Sequence, residues 1–241
     1  MTAMIDRAQL VDDFLNLVRI DSESGHERAV ADWLRPRLVQ LGGAVSMDHA
    51  AQQTGGDCGN LLAQFPGDDR PALLLSAHMD TVKPGCGIRP VLAGGVIRSG
   101  GDTILGADDK TGIAAIMAAL RAVPATERPP VDVLLTVSEE SGLMGARVAD
   151  LSALRARAGY ALDAEGLVGT VTVAAPAHEH FRIDVQGTAA HAGIAPEQGR
   201  NAIRALAQLL AAFPQGQLAD DTTANIGFVG GGRAHNIVAP E

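Results

Sequence analysis

The chain has 241 residues, enough for one large domain or two small ones, and its 46% hydrophobic and 20% charged content is typical of a folded protein. A formal net charge of -9 and only 3% aromatic residues argue against a nucleic-acid partner, because such surfaces need clustered cations and stacking rings. The acidic N-terminal segment is unlike a signal peptide, and no apolar run approaches the roughly 20 residues of a membrane span, so we expect a cytoplasmic protein with no membrane partner.

The first part of the sequence alternates between helical and strand-like patterns. Apolar spacing predicts one helix that ends near Arg19 and a second that ends at Gly42–Gly43, with Pro36 expected to kink or limit the second. Later, a hairpin turning at Gly94–Gly95 and a helix after Asp108 stand among apolar strands at residues 60–65, 71–78, 131–138 and 160–164. These patterns predict an α/β sheet covered on both faces, with functional residues at the strand ends.

A different pattern begins near residue 176. Period-two alternation predicts a strand over residues 178–189, followed by an amphipathic helix over 197–213 and a strand over 223–231. This β-α-β unit is too short to bury a full core alone. We therefore predict two domains, residues 1–176 and 177–241.

Acidic residues and one histidine mark the strand ends and the helix start. They are His78 and Asp80 in "SAHMDTV", Asp108 in "GADDK", Glu139 and Glu140 in "VSEESG", and Asp163 in "LDAEG". Close carboxylates repel one another unless they take up protons or cations lie between them. An imidazole with carboxylates suits zinc, with cobalt or manganese as weaker candidates, and one uncoordinated glutamate can serve as general base. Each residue alone also has a structural interpretation as a hydrogen-bonded histidine, a helix cap or a solvated loop.

Taken together, these segments resemble the two-zinc metallopeptidases that include aminoacylase, carboxypeptidase G and peptidase T, and above all the peptidase T-like proteins. The similarity also includes "GTAAHAGIAPEQGRNAI" and covers nearly the whole chain in order. It implies a three-layer α/β/α catalytic domain with an inserted α+β lid domain that forms a homodimer. It further implies two Zn²⁺ ions and short peptides, tripeptides in particular, as substrates.

The resemblance assigns metal ligands by position. His78 and Asp163 would bind one zinc, Glu140 the other, and Asp108 would bridge both. It also implies a cis peptide bond after Asp108.

The remaining roles follow from the same resemblance. Asp80 would orient His78, and Glu139 would be the general base and acid. His191 and Asn236 of the lid would contact substrate, with His191 placed over the partner subunit's site. Lys110 is expected on a helix surface, and the histidines at positions 178, 180 and 235 in solvent.

Members of the family continue beyond the point that corresponds to Glu241, where a further histidine completes the second metal's ligands. Within this chain we therefore expect one metal with three ligands and a second held weakly by Asp108 and Glu140. Three alternatives stay open: an N-acyl amino acid amidohydrolase of the same family, a truncated non-catalytic metal-binding fragment, and an acidic α/β domain whose carboxylates only cap helices.

Overall fold

A five-stranded mixed sheet organises the first part of the computed structural model, which describes residues 4–241. Its spatial order is β1, β2, β6, β3, β7, and β4 and β5 form a separate hairpin. The strands are β1 Ala44–Met47, β2 Leu61–Phe65, β3 Leu73–His78, β4 Pro90–Ala93, β5 Val96–Ser99, β6 Val131–Thr136 and β7 Ala158–Ala161. The helices are α1 Arg7–Val18, α2 Arg28–Gln40, α3 Ala51–Thr54, α4 Ala107–Ala122 and α5 Met144–Arg147.

Three neighbouring strands of this sheet run in the same direction. β3 lies between β6 and β7 and is parallel to both, whereas β2 is antiparallel to β6 and to β1. In register, His78 stands opposite Thr136, and Ser76 stands opposite Ala161. The carboxyl ends of β3, β6 and β7 therefore meet at one edge of the sheet, which we call the carboxyl edge.

The hydrophobic core lies on one face of the sheet. Because side chains alternate along a strand, Leu61, Ala63 and Phe65 of β2 share this face, and all three are buried. They join a cluster with apolar residues of α1, α2, α4 and β6. On the opposite face, Gln64 and Asp132 bond to Arg155 or its neighbours instead. The predicted α/β class is confirmed.

The start of α4 departs from helical geometry. Asp108 and Asp109 have non-helical φ and ψ angles, and the peptide bond between them is cis, as the resemblance implied. The surface position expected for Lys110 is wrong: its side chain is fully buried, and Nζ donates a hydrogen bond to the Ile20 carbonyl at 2.8 Å. This lysine therefore ties α4 to the end of α1.

The helix α2 does not end at Pro36 but continues for four residues beyond it. The other predicted strands and helices of the first part form at nearly the expected positions, and the hairpin turns at Gly94–Gly95. No helix within residues 4–241 is long and apolar enough to cross a membrane. The cytoplasmic location stays a prediction.

The structure divides into two compact units, the first ending at Leu167 and the second being Val168–Glu241. The domain boundary at residues 176/177 stays a prediction. In the second unit the expected helix forms as α6, Ala202–Ala212, and the Asn201 side chain caps it by accepting from the Arg204 N–H at 2.9 Å.

The strands predicted for the second unit are wrong in position. Residues 178–187 form no strand; Thr188 makes one isolated bridge with Arg200. The second unit instead contains the hairpin of β8, Gly216–Ala219, and β9, Thr222–Ala224, which overlaps the second predicted strand by two residues. A strand needs a neighbour for its backbone hydrogen bonds, and the described chain places none beside residues 178–187. The histidines at positions 178, 180 and 235 are exposed, as expected.

Candidate metal centre

The carboxyl edge collects the acidic side chains that the sequence singled out. His78 is the last residue of β3, the adjacent pair Glu139 and Glu140 follows β6, and Asp163 follows β7. Asp108 reaches the same place from the start of α4. The parallel order of the three strands is the reason that residues up to 85 positions apart in sequence converge here.

The His78 imidazole stands at the centre of this group and is almost fully buried. Its Nε2 lies 3.2 Å from Asp108 Oδ1, 3.9 Å from Asp163 Oδ1 and 4.0 Å from Glu139 Oε2. Two sets of possible ligand atoms lie within 4.8 Å of one another: His78 with Asp108 and Glu140, and His78 with Glu139 and Asp163. The arrangement offers one ring nitrogen and four carboxylates to ions at this edge.

Asp80 contacts both His78 and the backbone of the Glu139–Glu140 pair. Its Oδ1 lies 3.3 Å from His78 Nδ1 and accepts from the Glu139 N–H at 2.9 Å. Its Oδ2 accepts from the Ser24 hydroxyl at 2.6 Å and from the Glu140 N–H at 3.1 Å. Strand β3 ends at His78, and Asp80 lies two residues beyond its end. Burial alone would raise the pKa of Asp80, but these hydrogen bonds and the nearby imidazole lower it.

The charges at the edge are poorly balanced without a cation. Burial and the Asp108 and Glu139 carboxylates raise the pKa of Asp163 to about 6 against the opposing effect of His78, and burial is also the main cause of the raised pKa of Glu140. For His78, burial would lower the pKa, but Asp80 and the Asp163 and Asp109 charges raise it to about 9. This donor set fits divalent metal ions, which would replace the protons that the cluster otherwise retains.

The adjacent aspartates at the start of α4 have different environments. Asp109 is buried and caps the helix, accepting from the Gly112 N–H at 3.1 Å, whereas the Asp108 side chain is 70% exposed and faces His78. Burial is the main cause that raises the pKa of Asp109 to about 7. Asp109 therefore accepts the hydrogen bond at the start of the helix, and Asp108 is left free to bind a ligand.

Two residues of the loop before α2 contribute contacts that the sequence analysis did not predict. Ser24 donates to Asp80, and Glu27 Oε1 accepts from the Ser138 N–H at 2.9 Å, just before the glutamate pair. Their partners lie 56 and 111 residues away, so no local pattern signals these contacts.

The two expected substrate-binding residues of the second unit are neighbours. His191 forms an isolated bridge with Ile237, and the Ala192 N–H donates to the Asn236 carbonyl at 2.9 Å. His191 Nδ1 accepts from the Gly193 N–H at 3.2 Å. Their roles toward substrate stay predictions.

Two protein-family models match the sequence of this chain. The model described as "Peptidase family M28" matches residues 60–192, more than half of the chain, and "Peptidase dimerisation domain" matches residues 178–241. The chain belongs to the family described as "Peptidase family M28". The carboxyl edge lies within the first match, and α6 lies within the second.

Relatives of this chain are longer than it is. The protein YqjE of Bacillus subtilis is 40% identical over 241 residues, with 99% of this chain and 65% of YqjE covered. The crystal structure of the aminopeptidase PepT from Bacillus cereus has a TM-score of 0.83 and 39% identity, covering 98% of this chain and 64% of its own. A tripeptidase structure from Staphylococcus aureus has a TM-score of 0.77 and 35% identity, with the same coverage. The chain thus spans less than two thirds of each.

Proposed function

We propose that this chain carries the catalytic centre of a two-zinc aminopeptidase that hydrolyses short peptides, tripeptides in particular. The observation that carries the proposal is the group of carboxylates that surrounds His78 Nε2 at the carboxyl edge. The peptide substrate is supported by similarity to proteins described as an aminopeptidase and a tripeptidase.

Four residues would hold the metals. His78, Asp108 and Asp163 would bind one zinc, and Asp108 with Glu140 would bind the other. Ions held by these residues would supply activation of a water and polarisation of the scissile carbonyl. Asp80 would keep the imidazole oriented through Nδ1, which leaves Nε2 to face the ligand group.

Glu139 would move the proton. Its carboxylate is partly buried and reaches within 4.0 Å of His78 Nε2, while its backbone N–H is held by Asp80. From this position the carboxylate can accept a proton from the attacking water and deliver it to the departing amine. Because Asp80 fixes both Glu139 and His78, proton acceptor and metal ligand keep a constant separation.

The second unit would supply substrate contacts and dimer formation. The match of residues 178–241 to a peptidase dimerisation domain supports a homodimer formed through this unit. His191 and Asn236 would contact the substrate, and their adjacent backbones would let them act together.

Substrate preference separates this proposal from the alternatives. The zinc-loaded chain is incubated with a panel of free tripeptides and with N-acetyl amino acids, and released amines are quantified. Hydrolysis of the tripeptides supports the aminopeptidase. Cleavage of the N-acetyl amino acids alone indicates the amidohydrolase, and turnover of neither class supports a non-catalytic fragment.

A further inference from the structure

A second group of potential ligands adjoins the carboxyl-edge centre but shares no residue with it. Glu27 before α2, and Asp57 and Cys58 in the loop after α3, bring two carboxylate oxygens and a sulfur within 4.8 Å of one another. None of the carboxyl-edge residues belongs to this group, which we call the thiol cluster. It has a different donor chemistry, since it contains a thiol and no histidine.

The Glu27 side chain gives independent support for a cation site. It is fully buried, and its Oε1 accepts from the N–H groups of Gly25 and Ser138, both at 2.9 Å. Its Oε2 has no hydrogen-bond partner within residues 4–241, although it is shielded from solvent. A buried carboxylate oxygen without a partner is unfavourable, and a bound cation would satisfy it.

Within residues 4–241, the carboxylates of the thiol cluster have no directly paired cation. No ion pair in the described chain includes Glu27 or Asp57. The nearby Arg28 guanidinium donates to the Asp57 backbone carbonyl at 2.7 Å and forms no ion pair with either carboxylate. Burial, with the Glu27 and Asp57 charges, raises the pKa of Cys58 to about 12, so the thiol keeps its proton until a metal displaces it.

The backbone around the cluster holds its members in place. The Asp57 N–H donates to the Gly25 carbonyl at 3.1 Å, and the Arg28 N–H donates to Asp57 Oδ1 at 2.9 Å. Cys58 is fully buried, whereas Asp57 is exposed. An ion can therefore enter past Asp57 and meet Glu27 and Cys58 inside.

We infer that the thiol cluster is a separate metal site for a thiolate-binding divalent cation of the zinc, cobalt or cadmium type. On binding, the Cys58 thiol releases its proton to solvent and a sulfur–metal bond forms, while Glu27 Oε2 and an Asp57 oxygen complete three protein ligands. Tetrahedral zinc places sulfur and oxygen ligands about 3.5 Å apart, which is compatible with ligand atoms that lie within 4.8 Å of one another. The ion would fasten the start of α2 to the loop before β2.

Cobalt absorption tests this site without relying on activity. Co²⁺ is added to the purified chain, and the near-ultraviolet thiolate-to-cobalt charge-transfer band is recorded. The carboxyl-edge centre has no sulfur ligand, so the band reports only on a cysteine. We expect the band in the wild-type chain, in C86S and in H78A, and its loss in C58S.

A second variant, D57N, tests the site if C58S does not fold. D57N changes an exposed residue and keeps an oxygen to accept from the Arg28 N–H. It should raise the cobalt Kd measured from this band by at least about tenfold, because even residues behind the direct ligands contribute that much. Cobalt uptake without the band, loss of the band in C86S alone, or an unchanged Kd in D57N would each overturn the site.

Discussion

Asp132 of β6 and Asp163, which follows β7 of the same sheet, have opposite electrostatic surroundings. Asp132 is buried on the polar face, where it accepts from the Arg155 guanidinium at 2.6 Å and from the N–H groups of Arg155 and Ala156. Burial would raise its pKa, but these bonds lower it. At the carboxyl edge, by contrast, the pKa of Asp163 is raised to about 6 by burial and neighbouring carboxylates.

Under the proposed function, the contrast separates a structural acid, Asp132, from a proposed metal ligand, Asp163. The protein supplies a cation to Asp132 from its own chain, so this carboxylate contributes to folding and is unavailable for chemistry. The acids around His78 greatly outnumber the single imidazole between them and gain from an external cation. Changes at the edge should therefore alter metal binding and turnover, whereas changes at Asp132 should alter stability.

The largest effect is expected at Glu139. E139Q removes the proton acceptor while keeping side-chain size, so we expect kcat for a tripeptide to fall by at least about 100-fold. Zinc affinity should change little, because the other acids and His78 remain. Steady-state kinetics and zinc titration measure both quantities. Turnover within a factor of a few of the wild type would remove Glu139 from the mechanism.

At Asp132 we expect a change in stability alone. D132A leaves the Arg155 guanidinium and two backbone N–H groups without their partner, and should lower the free energy of unfolding by about 2–3 kcal/mol, since Arg155 is partly exposed. D132N retains an acceptor oxygen and should lose less. Urea denaturation measures the difference. If D132A has the wild-type free energy of unfolding but no longer binds zinc, the distinction between Asp132 and the carboxyl-edge acids is wrong.

Zinc affinity should rise with pH. A histidine must lose its proton before it binds metal, and the metal-free His78 has a pKa of about 9. Between pH 7.5 and 9 the dissociation constant should therefore fall by about tenfold per pH unit, then level off above pH 9. Competition with a chelator of known pH dependence measures this slope. A flat profile would show that His78 is not a ligand.

Ser24 should have the smallest effect. S24A removes one of the hydrogen bonds that hold Asp80 and should lower kcat by about tenfold with little change in KM, because substrate contacts are untouched. S24T, which keeps the hydroxyl, should recover most of the rate. Equal losses in both variants would indicate a packing role for this position.

Much of the carboxyl edge was predictable because local patterns define it. Apolar runs located β2, β3 and β6, and the residues that follow parallel strands must meet at one edge. His78, Glu139 and Asp163 could therefore be grouped from sequence before any distance was known.

The remaining features depend on contacts that no local pattern contains. Lys110 looked like a surface residue, but the irregular first residues of α4 turn it toward the Ile20 carbonyl. Ser24 and Glu27 act through partners far along the chain. The alternating segment at 178–187 has the period of a strand but no neighbouring strand in the described structure.

Anomalous diffraction from crystals of the zinc-loaded chain, recorded on both sides of the zinc absorption edge, tests the central claim most directly. We predict two peaks at the carboxyl edge about 3.5–4 Å apart, on either side of Asp108. The peak beside His78 and Asp163 should be the stronger, and the one beside Glu140 the weaker. Zinc bound elsewhere in the chain, with no peak within reach of His78, would contradict the account.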